Sequence, residues 1–222
     1  MSVDNHDFSE GNFISNKKAA IRRVHSAAII SAAEKVFALK GFNGATTQEI
    51  ADLAGLPKAN VHYYFKTKKD LYNTVLEDVV VVWKTDADAF NKSEDPTIAI
   101  SEYIRSKMDY SFSRPFGSKV WANEIIHGAP VMGDKRLARF LNIWEKRKTI
   151  QISRWVKQGK ILPVDPHYLL FMIWATTQHY ADFEHQIRVL NGNKSLSKKQ
   201  QEAAIETVTG IILRGIGLNP AA

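Results

Sequence analysis

A short stretch near the end of the first third of the chain concentrates side chains that can contact nucleic acid. Its four polar members are Lys58, Asn60, His62 and Tyr63. Lysine and asparagine can hydrogen-bond to base edges in the major groove, and a tyrosine hydroxyl can donate to a phosphate. Val61 and Phe65 are one helical turn apart and are expected to face a core instead. The stretch therefore predicts a short helix with one buried side and one DNA-contacting side.

The elements before this stretch are those of a helix-turn-helix. The spacing of Thr46 and Glu49 predicts a capping box that opens a short helix ending at Gly55. Pro57 suits the first position of the next helix. Two short helices joined by a tight, glycine-containing turn form this motif. Its core is expected to contain Phe37, Ile50 and Leu53 besides Val61 and Phe65.

Further DNA contacts are expected on both sides of the motif. Basic side chains before the first helix can lie along the DNA backbone or in the minor groove. Threonines at the start of the second helix and a lysine at the start of the fourth can contact phosphates. These additional positions are Lys17, Lys18, Arg22, Arg23, Thr46, Thr47 and Lys68.

The positive charge of the chain is concentrated in the same region. The 222 residues carry a formal net charge of +7. Residues 15–69 contain ten Lys or Arg against three acids, which already equals that charge, whereas residues 70–222 are close to balanced. Such an excess suits a polyanion, most often nucleic acid, although a solubilising face would look the same.

The composition limits the remaining classes. There is no cysteine, which excludes disulfides, thiolate nucleophiles and cysteine metal sites. We find no apolar run of membrane-spanning length, no signal peptide, no phosphate-binding loop and no activated nucleophile. We therefore expect a cytoplasmic protein that is not an enzyme and has no metal or cofactor.

Periodicity and caps predict an all-α chain. The valine run 79–82 looks like a strand, but Leu71, Val75, Val79 and Trp83 recur at helical spacing, so we assign it to a long fourth helix ending near Phe90. Later helices are expected over about 97–111, 119–126, 135–159 and 165–190, and after a capping box at Ser197. We expect a disordered arm over 1–16, a DNA-binding domain over 17–67 and a ligand-binding and dimerisation domain over 68–218.

The motif region resembles the DNA-binding domain of the TetR family of transcriptional repressors, and it departs from the common pattern at His62. The resemblance implies a three-helix DNA-binding domain, a larger helical ligand-binding domain, and a homodimer on a palindromic operator. The matching residues are Ile30, Ala32, Ala33, Phe37, Gly41, Phe42, Thr46, Thr47, Ile50, Ala51, Ala54, Gly55, Tyr63, Phe65, Lys68 and Leu71.

The second half resembles the repressors of pyrimidine utilisation within that family. The segments that carry this are EYIRSKMDYS, GAPVM and WVKQGKILPVDPHYLLFMIWATTQHYADF. It implies a uracil- or thymine-like effector. Trp174 and Gln178 share a helix face, where an indole can cover a flat ring and an amide can pair with an imide. Trp83 can close the other side, and Glu124 and His127 are further candidates.

Two other interpretations of this half remain open. An apolar or cationic effector, such as a drug or a fatty acid, would use a pocket lined by aromatic residues. That set is Phe112, Phe116, Trp121, Phe171 and Trp174. A helical metal-dependent enzyme would use His179, Asp182 and His185, although a polar helix face explains their spacing more simply.

Dimerisation is expected to use the last two long helices, which would form a four-helix bundle with a second copy. The final helix carries a stripe of small and apolar residues suited to close packing, or equally to a core within one chain. The stripe consists of Ala203, Ala204, Thr207, Val208, Ile211 and Ile212.

Overall fold

Helices account for most of the described backbone. The computed structural model describes residues 7–90 and 93–219, and within these ranges there is no strand. The chain divides into two compact units, Met1–Val75 and Leu76–Ala222. This division falls inside the fourth helix, beyond the boundary at residue 67 that the sequence suggested.

The first unit contains three helices and the beginning of a fourth. They are α1 (Asp7–Gly44), α2 (Thr47–Ala54), α3 (Lys58–Tyr64) and α4 (Lys68–Phe90), which continues into the second unit. The second unit adds α5 (Pro96–Ser113), α6 (Pro115–Ile126), α7 (Asp134–Lys157), α8 (Pro166–Asp182), α9 (Glu184–Leu190) and α10 (Lys198–Gly215).

The first helix begins earlier than the sequence suggested. The disordered arm was predicted over residues 1–16; residues 1–6 lie outside the described ranges, but α1 begins at Asp7. The segment from Asp7 to Asn16 contains no proline, so nothing in it prevents the helix from extending towards the amino terminus. At the other end Gly41 adopts φ 67 and ψ 176, a non-helical conformation that interrupts α1 shortly before Gly44.

The helix-turn-helix forms as its caps predict. The Thr46 side chain accepts the amide of Glu49, and the Glu49 carboxylate accepts the amide of Thr46. Gly55 ends α2 in the left-handed region at φ 67, which a residue without Cβ adopts at little cost. Pro57 caps α3 rather than occupying its first turn.

The core of the first unit contains Phe37, Ile50, Ala51 and Val61, all buried, while Phe65 is half-buried. The expectation for Leu53 was wrong, because 49% of it is exposed. At about 100° per residue, Leu53 points roughly 110° away from the middle of the α2 face that Ile50 and Ala51 bury.

The second unit has its own core, built mainly where α5 packs against α8 and α10. Phe90, Ile104, Met108 and Trp155 are fully buried there. The rings of Phe90 and Trp155 have centroids 5.5 Å apart. This core holds the helices that carry the predicted ligand residues.

The helices α4 and α8 agree with the sequence-based predictions in part. The valine run 79–82 is helical, as predicted, because it lies inside α4. The helix expected over 165–190 instead breaks at Phe183, whose backbone is non-helical at φ −108 and ψ 24. Asp165 caps α8 by accepting the amides of His167 and Tyr168, so its start agrees with the sequence.

Candidate DNA-binding face and ligand cavity

The outward side of α3 carries the residues expected to contact DNA. Val61 is buried, whereas Lys58, His62 and Tyr63 are exposed, Tyr63 to 73%. Asn60 is half-buried, and its backbone N–H donates to the carbonyl of Pro57 at 2.9 Å. One side of the helix thus presents cationic and hydrogen-bonding groups to solvent.

Tyr64 and Tyr63 are neighbours on α3, but Tyr63 is exposed and Tyr64 is half-buried. The two rings meet edge to face with centroids 5.1 Å apart. Tyr64 is half-buried, and its hydroxyl lies 3.5 Å from Nδ1 of His25 on α1. Tyr64 therefore packs α3 against α1, while Tyr63 remains available to a partner.

The two threonines at the start of α2 differ in whether their hydroxyl groups cap the helix. The hydroxyl of Thr46 donates to the Glu49 carboxylate at 3.0 Å and accepts its amide at 3.2 Å. Thr46 is thus engaged as the helix cap. Thr47 is half-buried in the first turn.

Lys68 has a structural partner that the sequence did not suggest. Its Nζ donates to the carbonyl of Ala45 at 3.0 Å and lies 4.6 Å from the centroid of the Phe42 ring. The half-buried lysine therefore ties the start of α4 to the connection between α1 and α2. Any phosphate contact would use its remaining N–H groups.

The basic residues of α1 lie on its surface. Lys17, Arg22 and Arg23 are exposed, and Nε of Arg23 is 3.5 Å from the carbonyl of Ala19. The side chain of Lys18 lies outside the described atoms. The three described cations remain accessible to a polyanion.

A cavity in the second unit brings together three of the predicted ligand residues. Trp83 from α4 and Trp174 and Gln178 from α8 all line it. It contains about 390 Å³ of space not occupied by atoms, including its mouth. The other lining residues, from α5, α6 and α7, are Tyr103, Lys107, Trp121, Leu141 and Lys148.

Aromatic rings and ammonium groups alternate around this cavity. Nζ of Lys107 lies 4.2 Å from the centroid of the Trp83 ring, and Nζ of Lys148 lies 4.9 Å from that of Tyr103. Such distances suit cation–π attraction. The indole N–H of Trp174 donates to the Tyr103 hydroxyl at 2.9 Å, which fixes the orientation of both rings.

Sequence reasoning missed the two lysines. Lys107 is 5% exposed and Lys148 is 1% exposed, although lysine is almost never buried in this way. The only sequence signal is that Lys107 shares its helix face with the buried residues Tyr103 and Ile104 on the preceding turn.

Glu124 and His127 do not line this cavity. Glu124 is 1% exposed, and its Oε1 accepts the amides of Val131 and Met132 at 2.9 and 2.7 Å. It thereby organises the loop between α6 and α7. His127 is exposed, with Nδ1 2.7 Å from the carbonyl of Asn123.

The aromatic set considered for an apolar effector is divided between two places. Trp121 and Trp174 line the cavity just described. Phe112 and Phe116 line a separate cleft beside α9. Phe171 is exposed on α8. These five residues therefore do not form one pocket.

The three residues considered for a metal site have other contacts. His179 stacks on Phe183 with centroids 4.8 Å apart, and Asp182 accepts the Ser118 hydroxyl at 2.7 Å. Nδ1 of His185 lies 3.0 Å from an Arg188 nitrogen. Burial raises the pKa of Asp182 above its ordinary value, while the Ser118 hydrogen bond acts in the opposite direction. Over residues 7–90 and 93–219, no three metal-type ligands converge.

The stripe on α10 is partly buried and partly exposed. Val208 and Ile212 are buried in the core of their own unit, whereas Ala203, Thr207 and Ile211 are exposed. On α8, exposed apolar side chains recur at Tyr168, Phe171, Met172 and Ala175. Both helices thus keep an apolar side that is not covered within the chain.

None of the helices in the described parts of the chain is long and apolar enough to cross a bilayer.

Comparisons with known sequences agree with this division of the chain. The family model for bacterial regulatory proteins of the tetR family matches residues 29–75. The model for the C-terminal region of YcdC-like proteins matches residues 76–219. The HTH-type transcriptional regulator RutR of Escherichia coli (strain K12) is 40% identical over 189 residues, which cover 85% of this chain and 89% of RutR. The HTH-type transcriptional repressor NicS of Pseudomonas putida is 31% identical over 107 residues, covering 45% of this chain and 47% of NicS.

Solved structures share the fold at lower identity. FadR of Bacillus subtilis in complex with stearoyl-CoA superimposes with a TM-score of 0.63 and 18% identity, covering 86% of this chain and 98% of FadR. AibR in complex with isovaleryl coenzyme A and operator DNA superimposes with a TM-score of 0.64 and 16% sequence identity, covering 84% of this chain and 97% of AibR. At these identities the likeness concerns architecture alone.

Proposed function

Because the chain belongs to the TetR family of bacterial transcriptional regulators, we propose that it is a repressor that binds a palindromic operator as a dimer and responds to a pyrimidine such as uracil or thymine. The family is one of DNA-binding regulators and not of enzymes. The observation that carries the effector proposal is the meeting of Trp83, Trp174 and Gln178 at one cavity.

The DNA contacts are assigned to α3 and its flanks. Lys58, Asn60, His62 and Tyr63 face the major groove in this proposal. The exposure of Lys58, His62 and Tyr63 supports it, and Asn60 is half-buried. Thr47, Arg22, Arg23 and Lys68 contact the phosphate backbone. Thr46, engaged in its cap, contributes through the position of α2. Phosphate contacts fix the register of the protein, whereas contacts to base edges select the sequence.

The ligand is assigned to the cavity of the second unit. A pyrimidine ring fits between flat indole faces, and its imide presents N–H beside C=O to the complementary amide of Gln178. The ammonium groups of Lys107 and Lys148 can donate to ring carbonyl oxygens, which a pyrimidine-dione carries. The cavity chemistry thus supports a small, flat, polar molecule better than a long acyl chain.

The dimer is assigned to the exposed apolar sides of α8 and α10. Phe171, Met172 and Ile211 would be covered by the same helices of a second copy, as in a four-helix bundle. Two-fold symmetry would then present two copies of α3 to two operator half-sites.

Switching is assigned to α4. This helix contains Lys68 at its first residue and Trp83 in the cavity, so one element carries residues of both proposed sites. Effector releases DNA only if it binds the released arrangement more tightly. A hundredfold loss of operator affinity requires about 2.7 kcal/mol of differential binding.

A thermal-shift panel tests the effector class. Uracil and thymine should raise Tm, because a ligand present at about a hundred times its Kd stabilises the folded state by about 2.7 kcal/mol. Fatty acids and cationic dyes are the comparison ligands. Stabilisation by lipids or dyes but by neither pyrimidine would contradict the pyrimidine proposal and leave the regulator assignment in place.

A further inference from the structure

The break between α8 and α9 opens a second cleft, separate from the cavity assigned to the effector. Its walls come from the end of α5, the start of α6, both sides of the break and the segment leading into α10. It contains about 710 Å³ of space not occupied by atoms, including open solvent, and is thus larger than the first cavity. No residue lines both.

One part of this cleft is aromatic. Phe112 from α5, Phe116 from α6 and Tyr180 from α8 approach it from three helices. The rings of Phe112 and Tyr180 meet edge to face with centroids 5.5 Å apart. Ile187 and Leu196 add aliphatic surface. A flat apolar body is the shape that such a set of rings accommodates.

The other part of the cleft is charged, with a surplus of cations. Lys119 and Arg188 line it together with a single acid, Glu184. The closest distances are 3.7 Å from Nζ of Lys119 to the Glu184 carboxylate and 3.9 Å from Nε of Arg188 to it. Both exceed hydrogen-bond length, so Glu184 does not occupy the donors of either cation through a close contact.

The exposed fraction of the side chains differs between the two parts of the cleft. The side chain of Lys119 is 20% exposed and that of Arg188 is 41% exposed. At the opposite extreme, Ser111 is buried, and its hydroxyl donates to the carbonyl of Thr177 at 2.9 Å. The cations therefore stand where an anionic group can remain partly hydrated while an apolar body is covered.

We propose that this cleft is a second small-molecule site, and that it takes an aromatic carboxylate with its ring among Phe112, Phe116 and Tyr180 and its carboxylate on Lys119 and Arg188. Carboxylates form charge-assisted hydrogen bonds with both cation types. One Nη of Arg188 already lies 3.0 Å from Nδ1 of His185, so the carboxylate would use the remaining donors of this guanidinium. The site is independent of the effector cavity and of what that cavity binds.

Calorimetric titration of the full chain with 1-naphthoate tests this assignment, with 1-naphthamide as the neutral ligand of the same shape. Naphthoate should bind with one site per chain and at least tenfold more tightly than the amide. Lys119→Gln and Arg188→Gln should each weaken naphthoate binding at least tenfold, and Lys119→Arg should restore most of it. The charge-matched controls Lys135→Gln and Arg139→Gln, exposed on α7 and outside the cleft, should leave the affinity within twofold.

Circular dichroism and thermal melting of every variant establish that it is folded. The proposal is overturned if naphthoate does not bind the wild-type protein, if the amide binds equally well, or if folded Lys119→Gln and Arg188→Gln variants retain full affinity. A loss of affinity in the α7 controls equal to that in the cleft variants would also overturn it, because general charge would then explain the binding.

Discussion

The two units use the same residue types in opposite ways. On α3, Lys58 and Tyr63 are exposed to solvent. In the second unit, Lys107 lies under Trp83 and Lys148 under Tyr103, all four of them buried. A lysine beside an aromatic ring therefore does not indicate a surface or a core by itself. What differs is how many other elements pack around the helix that carries the pair.

Because of this difference, the two units are suited to different kinds of partner. The exposed cations of the first unit act over a Debye length and are screened by salt. The buried cations of the second unit line its cavity, where water is largely excluded and electrostatic interactions are stronger. The first arrangement suits a long polyanion, and the second suits a small ligand.

The largest expected effect is a loss of stability in the second unit, whose packed core buries its cavity lysines. Trp155→Ala should destabilise that unit by about 3–5 kcal/mol, because it removes a fully buried indole next to Phe90 and leaves a cavity. Trp155→Phe, which keeps a ring in the core, should lose much less. Thermal and urea unfolding measure both, and equal stability of Trp155→Ala and wild type would show that this core does not depend on the indole.

The next effect sharpens the contrast between ligand and DNA binding. Gln178→Ala should weaken binding of uracil or thymine about 10–100-fold, because it removes the amide that pairs with the imide. Its affinity for operator DNA without ligand should be unchanged. Calorimetry with the pyrimidine and anisotropy with the operator separate the two, and an unchanged pyrimidine affinity would place the ligand elsewhere.

A smaller effect is expected at the exposed face of α3. Lys58→Gln should weaken operator binding several-fold and reduce the preference for the operator over other duplexes, because the proposed contact to a base edge in the major groove is lost. Lys157→Gln, an exposed lysine on α7, is the matched control. A fall of about 0.9 in the slope of log K against log salt, with the sequence preference unchanged, would show that Lys58 contacts a phosphate and not a base edge.

The smallest effects concern two carboxylates with opposite pH dependence. The pKa of Glu49 lies below its ordinary value, chiefly because Lys40 and Thr46 hydrogen-bond to the ionised form. Its stabilisation is therefore present above about pH 4.5 and is lost as the pH falls through its folded-state pKa. The pKa of Asp182 is raised by burial. Ionisation of Asp182 therefore lowers the stability of the folded state as the pH rises above the ordinary pKa of aspartate.

Variants of these carboxylates measure that contrast. Glu49→Gln should reduce the loss of stability on acidification, whereas Asp182→Asn should reduce the loss on raising the pH from the acid side. Unfolding is followed at a series of pH values between about 3 and 7. The same direction of change in both variants would contradict the assignment.

Several features were predictable because they depend on residues close together in sequence. The capping boxes of Thr46 with Glu49 and Ser197 with Gln200 both form as predicted. The all-α TetR-like fold, the helix-turn-helix and the family assignment are confirmed. The caps and the helix-turn-helix are encoded by short-range spacing, whereas the TetR-like fold and the family assignment came from a resemblance to known sequences.

Other features depend on packing between distant segments and were missed. The burial of Lys107 and Lys148 follows from rings supplied by other helices, which no local pattern reveals. The break at Phe183 involves neither glycine nor proline, so the periodicity continues through it. The exposure of Leu53 depends on which side of α2 meets its neighbours. The residues of the DNA face and of the cavity remain predictions about function, although the structure gives their positions.

The most direct measurement is the affinity of a selected operator duplex at fixed salt, followed by fluorescence anisotropy as uracil or thymine is added. The operator is first obtained by selection from random duplexes. The account predicts that the wild-type protein binds this duplex and that saturating pyrimidine raises the operator Kd at least tenfold, whereas Gln178→Ala binds equally well and does not respond. An operator Kd that stays constant while calorimetry shows the pyrimidine bound would contradict the proposed switch.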